Sequence, residues 1–272
     1  MSIRAVIFDL DNTLILEDDS TDRALESAAR IAHARIGIDV VTLARAAREA
    51  ARRRWRAAPE ARYGDAFGIW WGEAMWGEFA GDAEGLRAIR ALIPGLRHGV
   101  WVDALAACGR ADAALADELA AEYARARCVA EAIDPEAEPM LRTLASRYTL
   151  ALLTNGASDV QRAKLGRTPF AAYFSEVIIS VEAGVGKPDP ELFRLAAKRM
   201  GVDPRDAVMV GDSLERDVAG AKAAGMRAVW LDRKLWTESE TAQPDARIER
   251  LSDLPAALDA LARSPASPPA TS

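Results

Sequence analysis

Five short, unbroken apolar runs constrain this chain more than anything else in it: Ala5-Val6-Ile7-Phe8, Leu150-Ala151-Leu152-Leu153, Val177-Ile178-Ile179, Ala207-Val208-Met209-Val210 and Ala228-Val229-Trp230-Leu231. Side chains alternate faces along a strand, so a run that is apolar at every position suits a strand covered on both sides, as in a parallel sheet between helices. Helix signals separate the last four runs. Ser158 with Gln161 reads as a capping box, with Gly166 as the stop; Asp189-Pro190 opens a helix that Gly201 closes, and Ser213 caps another that Gly225 closes. Strand and helix alternating in this way predict an α/β fold with a doubly wound parallel sheet.

Between the first run and the second lie about 130 residues with almost no strand signal, far more than a crossover connection needs. Ala24 to Arg56, Trp70 to Phe79 and Asp103 to Arg127 are rich in alanine, leucine, arginine and glutamate, which favour helix. An inserted α-helical cap domain is the economical reading. The expected division is therefore a Rossmann-like core of residues 1–18 and 135–262, a helical cap of residues 19–134, and a disordered tail over 263–272. A last helix is expected from Leu254 to Ala262, capped by Asp253 with Pro255 in its first turn. The Ser/Pro-rich stretch beyond it cannot bury enough surface to order itself.

Half of the 272 residues are apolar, enough for a sizeable core. Cys108 and Cys128 lack metal-ligand spacing and read as free, buried thiols, which suits a reducing cytoplasm. The start of the chain is too short in apolar residues and too acidic for a signal peptide, and no apolar run approaches the roughly eighteen residues that span a bilayer. A net charge of −6 argues against nucleic acid as a partner. Arg52-Arg53-Arg54 reads as a solvated helix face; the alternative is a place near an anionic substrate. Trp70, Trp71, Trp76, Phe67 and Phe79 read mainly as packing in the inserted segment, and His33 and His98 as surface residues without metal partners.

The chemistry gathers where the apolar runs stop. In Asp9-Leu10-Asp11-Asn12-Thr13, two carboxylates two positions apart project to one side of an extended chain, at the strand end where ligands of such sheets bind. Two anions so close call for a cation or a shared proton, and oxygen ligands without histidine or cysteine point to Mg2+. Thr154-Asn155-Gly156 offers a hydroxyl, an amide and a flexible backbone N–H ahead of a helix N-terminus, a candidate phosphate cradle. Lys187, in a Gly-Pro loop after the third run, can balance charge on a transferring phosphoryl group. Asp212, after the fourth run, can complete a metal site. Asp217 either orients a water or the lysine, or only compensates a helix dipole.

In these four motifs, Asp9 to Thr13, Thr154, Lys187 and Gly211-Asp212 with Asp217, the chain resembles the haloacid dehalogenase superfamily. The likeness covers about Ile3 to Leu16 and about Leu150 to Leu231. The resemblance implies that Asp9 attacks phosphorus to form an aspartyl-phosphate, while Asp11 protonates the leaving alcohol and then activates water. It implies further that Thr154 binds phosphate, that Lys187 steadies nucleophile and phosphate, and that Mg2+ sits on Asp9, the Asp11 carbonyl and Asp212. The dehalogenase branch lacks an acid at the position of Asp11, so the phosphatase branch is favoured. Asn12 departs from the glycine common there, but asparagine tolerates the same left-handed backbone. Asn12 and Leu153-Thr154-Asn155-Gly156 are similar to acylneuraminate phosphatases, pyrimidine nucleotidases and phosphoglycolate-phosphatase-like proteins.

The expected activity is hydrolysis of a small phosphate monoester: a sugar phosphate, a nucleoside monophosphate or a phosphoglycolate-like metabolite. A phosphomutase and a non-catalytic regulatory binder are the alternatives. The expected partner is that small phosphorylated metabolite, with no nucleic acid and no membrane, in a cytoplasmic monomer or homodimer whose cap closes on its two linkers to exclude water.

Overall fold

The computed structural model describes residues 2–129, 131–234 and 242–263. Its contacts divide the chain into two compact units. One holds Met1–Leu16, Ile133–Asn155 and Thr168–Ser272; the other holds Glu17–Ala132 and Gly156–Arg167.

The first unit is built on β1 (Ala5–Phe8), β2 (Thr149–Thr154), β3 (Glu176–Ile179), β4 (Ala207–Gly211), β5 (Arg227–Leu231) and β6 (Ala246–Ile248). The strands form one sheet in the order β3-β2-β1-β4-β5-β6, every pair parallel. This is the doubly wound α/β core that the five apolar runs predict. Phe8 stands opposite both Leu152 and Val210, Thr154 opposite Ile179, and Gly211 opposite Trp230, so the ends that carry the chemistry lie side by side.

Ile7, Leu153, Met209 and Trp230 pack on Phe193 and Val218 on one face of the sheet. The intervening Val6, Phe8, Leu152 and Val210 are buried as well. Both faces are thus covered, and each such side chain contributes about 1.5–3 kcal/mol. The sixth strand was not expected: Ala246-Arg247-Ile248 is a short edge strand with an exposed arginine and lacks a continuous apolar run.

The helical unit holds α1 (Glu17–Ile36), α2 (Val40–Ala57), α3 (Ala61–Phe67), α4 (Trp71–Ala74), α5 (Glu84–Ala107) and α6 (Ala113–Arg127). Within the helix-favouring stretch Ala24 to Arg56, Asp39 caps α2, its side chain accepting from the Thr42 amide at 2.8 Å, and so separates it from α1. Trp71, Trp76 and Phe79 are buried. Arg53 and Arg54 pair with Asp103, and Arg52 lies over Trp71, so the arginine triplet spends much of its charge within this unit. Cys108 is half-buried and Cys128 exposed. Their thiols are free, as expected, but not buried, because each sits at the C-terminal end of its helix.

Among the described residues, the remaining α-helices are α7 (Ala137–Ala145), α8 (Ser158–Gly166), α9 (Ser180–Ala183), α10 (Pro190–Arg199), α11 (Gly220–Ala223) and α12 (Leu254–Arg263). Of these, α8 belongs to the helical unit rather than to the sheet. Its buried Lys164 pairs with Glu73 at 2.8 Å, and Arg167 just beyond it pairs with Glu131 at 2.5 Å. The capping box expected at its start is not formed. Ala157 is the cap residue, and the Gln161 amide donates instead to the buried Glu73 carboxylate at 2.7 Å, a charge-assisted bond stronger than a cap to a neutral amide. Asp189-Pro190 and Ser213 do open helices. Arg263 still belongs to α12, and residues 264–272, where the tail is expected, lie outside the described residues. Among the described residues no helix is long and apolar enough to cross a membrane.

Candidate active site

Asp9 leaves the sheet as β1 ends: its amide still donates to Val210 O at 2.9 Å, while its side chain turns inward, 5 % exposed. The chain then closes one tight turn, with the amides of Thr13, Leu14 and Ile15 all directed at Leu10 O. Asn12 takes the left-handed conformation at φ 58°, as its side chain permits. The turn brings the Thr13 hydroxyl to Oδ2 of Asp9 at 3.1 Å. Asp11, half-buried, follows in the same loop, bridged to Ile15.

Lys187 reaches the nucleophile candidate from the loop after β3. Its Nζ donates to Asp9 Oδ1 at 2.6 Å and to Asp217 Oδ1 at 2.7 Å. Asn155, expected in the phosphate cradle, uses its amide on the Lys187 backbone. Nδ2 donates to Lys187 O at 2.9 Å, and Oδ1 accepts from Lys187 N at 2.8 Å. The reciprocal pair fixes the lysine loop against the end of β2. Thr154 is buried beside it, its hydroxyl 3.4 Å from Asn155 O. Gly156, at φ 139°, begins the 156–167 segment of the other unit; a Cβ there would stand 2.5 Å from the Gln161 amide nitrogen.

At the end of β4, Gly211 leads to Asp212 and Ser213, and the next six residues, Leu214–Ala219, form a π-helical turn. The wide turn folds Asp217 back toward the strand, where its Oδ2 accepts from Ser213 N at 3.0 Å. The Ser213 cap and Gly225 stop predict an ordinary helix here, and the π-helical turn departs from it. Trp230, on β5, donates from Nε1 to Asp212 O at 2.9 Å.

Carboxylate oxygens of Asp9, Asp212 and Asp217, all buried, lie within 4.8 Å of one another. Asp9 and Asp212, both expected at the metal, stand in this cluster with Asp217; Asp11 is expected there by its backbone carbonyl rather than by its carboxylate. Three buried carboxylates gathered beside Lys187 suit a divalent cation with oxygen ligands. Without a cation, the Asp9 carboxyl is pushed up to about 7: burial raises it most, Lys187 works against the rise, and Asp217 and Asp11 add to it. The Lys187 ammonium is held above its usual range: burial works against it, and Asp217 and Asp9 outweigh that. Such a cluster can present one fixed carboxylate oxygen to an electrophile and neutralise charge beside it.

Thr13, Ser213 and Trp230 were not singled out for roles in the site. Thr13 sits inside the acid motif and could have been found there; the other two act through tertiary contacts that leave no local signal.

Residues 3–225 match the model of the haloacid dehalogenase-like hydrolase family. The chain is similar to a phosphoserine phosphatase of Thermus thermophilus, 39 % identical over 93 % of this chain and 98 % of that protein. It is also similar to the human N-acylneuraminate-9-phosphatase, 31 % identical over 62 % of this chain and 70 % of that one. Among solved structures, a 2-haloacid dehalogenase from Pseudomonas syringae superposes with a TM-score of 0.56 at 31 % identity, covering 95 % of this chain and 99 % of that one. With the parallel core, the motifs at its strand ends and a match over most of its length, this chain belongs to the haloacid dehalogenase-like hydrolase family.

Proposed function

We propose that this protein is a magnesium-dependent phosphatase that hydrolyses a small phosphate monoester through a phosphoryl group carried on Asp9. One observation carries the reading: the two oxygens of a buried Asp9 are held separately, one by Lys187 at 2.6 Å and one by Thr13 at 3.1 Å, beside two further acids. A nucleophile held in this way approaches phosphorus without reorganising.

In the first step an Asp9 oxygen bonds to phosphorus as the bond to the leaving oxygen breaks, and Asp11 gives that oxygen its proton. In the second, Asp11 takes a proton from a water, the water oxygen attacks phosphorus, and Asp9 is released with inorganic phosphate. Lys187 balances charge on the equatorial oxygens. Thr154 is assigned to the phosphate, and Asn155 to keeping the lysine in place. Asp9, Asp212 and the Asp11 carbonyl are assigned to Mg2+, with Asp217 nearby; when bound, the ion supplies charge stabilisation to the transferring group.

Because the Thermus relative spans nearly all of the chain, O-phosphoserine is the first substrate to test, followed by sugar phosphates, nucleoside monophosphates and phosphoglycolate. Inorganic phosphate released one-for-one with ester loss, and only with Mg2+, supports the reading; transfer to a second hydroxyl indicates a phosphomutase. The likeness to a dehalogenase makes carbon–halogen displacement the second reading, and chloride release from 2-chloropropionate without phosphatase activity would favour it. Asp11 argues against that outcome, since attack on an alkyl halide needs no acid to protonate the leaving group.

A further inference from the structure

None of the four strand-end motifs lies on β5 or on the loop after it, yet a side chain from that loop holds the turn bearing Asp11. Arg233 donates from Nε to Asn12 O at 3.0 Å and from Nη2 to Thr13 O at 2.8 Å. The same Nη2 lies 2.6 Å from Asp134 Oδ2, and the arginine side chain is only 17 % exposed. Asp134 in turn donates its amide to Leu14 O at 3.1 Å, next to a bridge between Ile15 and Ile133. One guanidinium therefore joins the loop after β1, the segment that returns to the sheet, and the end of β5. All three belong to the first unit.

The turn explains why a cation sits there. The amides of Thr13, Leu14 and Ile15 are spent on Leu10 O, so the carbonyls of Asn12 and Thr13 are left at the C-terminal end of a single helical turn. Carbonyls at the C-terminal end of a helical turn carry partial negative charge and favour a positive charge beside them. A planar fork can serve two of them at once, which a lysine ammonium does less well. The two carbonyls are also well chosen for consequence. Asn12 follows Asp11 directly and holds a left-handed backbone, and Thr13 carries the hydroxyl bonded to Asp9.

We propose that Arg233 is a positioning residue for phosphoryl transfer: by gripping the Asn12 and Thr13 carbonyls it holds Asp11 and Asp9 in their reactive geometry. The inference rests on the phosphatase reading above. Displacing reacting groups by about 1 Å costs about 10²-fold in rate, so the loss belongs in kcat rather than in substrate affinity.

The test begins with wild-type kcat and KM for the best ester, then those of Arg233→Ala and Arg233→Lys. Arg233→Ala is expected to lose about 10²-fold in kcat with KM nearly unchanged and the unfolding transition still cooperative. Arg233→Lys keeps the charge beside Asp134 and recovers only part of the rate. Free guanidinium ion, below concentrations that unfold the protein, is expected to restore activity to Arg233→Ala by occupying the vacated fork. An unchanged kcat, or a loss that follows the fraction unfolded and resists guanidinium, overturns the proposal. Amide hydrogen exchange gives a readout without turnover: Thr13, Leu14 and Ile15 are expected to exchange faster in Arg233→Ala, and unchanged exchange overturns the proposal even if the wild type hydrolyses no ester. That last failure would instead end the phosphatase reading.

Discussion

A Cβ on Gly211 would stand 2.2 Å from Oδ2 of Asp217. The last residue of β4 is therefore glycine because a carboxylate from the following π-helical turn occupies the place of its side chain. That carboxylate is bound to Ser213 N and Lys187 Nζ, so it cannot yield without disturbing both. Gly211→Ala is expected to destabilise the protein by about 1–3 kcal/mol, as overpacking does, and to lower kcat about 10²-fold by shifting Lys187. Urea denaturation and steady-state kinetics check the two effects separately.

The positions of Asp9, Asp11, Thr154, Lys187 and Asp212 are legible in the sequence because each lies at or beyond the end of an apolar run that is itself legible. The fold was readable for the same reason. Trp230 and Arg233 were not, since each serves a loop brought near only by the sheet order β1-β4-β5. The π-helical turn after Ser213 has no local sequence pattern that sets it apart from an ordinary helix. Likewise, α8 reads as a core helix by its place in the strand alternation, but its buried Gln161 and Lys164 bind Glu73, about 90 residues earlier in the chain, and no local pattern announces that.

The charges buried in the helical unit give a second prediction. Arg127, 1 % exposed, pairs with Glu17 at 2.9 Å and with Glu131 at 3.0 Å. Burial works against its charge, but the two glutamates hold its pKa above the usual arginine range, while Glu131, despite its own burial, is held below the usual carboxylate range chiefly by Arg127. Arg127→Met removes the shared cation of two buried carboxylates, leaving Glu131 with Arg167 and Glu17 with Lys164 at 3.4 Å, and is expected to cost about 3 kcal/mol, measured by urea denaturation. Replacing Glu17 by Gln in that background should recover part of the loss.

With Mg2+ on the acid cluster, as proposed, stability should depend on pH and on Mg2+ together. Asp9 has its carboxyl raised by burial from 3.8 to about 7, so in metal-free protein the folded state binds the proton more tightly than the unfolded chain. That contribution is complete below pH 3.8 and is lost as pH rises through about 7. Mg2+ is therefore expected to raise the melting temperature more at pH 8 than at pH 5, and Asp212→Asn to abolish most of the increase. Differential scanning calorimetry at both pH values, with Mg2+ or EDTA, checks it.

Glu136 has the opposite sign. Its carboxylate accepts from Arg250 Nε at 2.9 Å and Ser252 N at 3.0 Å, which lowers its pKa from 4.5 to about 2. Its stabilisation is present above pH 4.5 and is lost as pH falls toward 2. Solvent screening limits it to about 1 kcal/mol. Glu136→Gln is expected to destabilise the protein at pH 7 and to make no difference near pH 2, as read from urea midpoints, and to leave kcat unchanged.

The most direct test of the account is whether phosphorus becomes bonded to Asp9. Wild-type protein mixed with Mg2+ and its best ester, quenched in acid during turnover and digested, should yield the peptide containing Asp9 with the added mass of one phosphoryl group. The same experiment on Asp9→Asn should show neither the added mass nor turnover. Phosphate release by the Asp9→Asn protein at the wild-type rate, or a phosphoryl group trapped on a different residue, would contradict it.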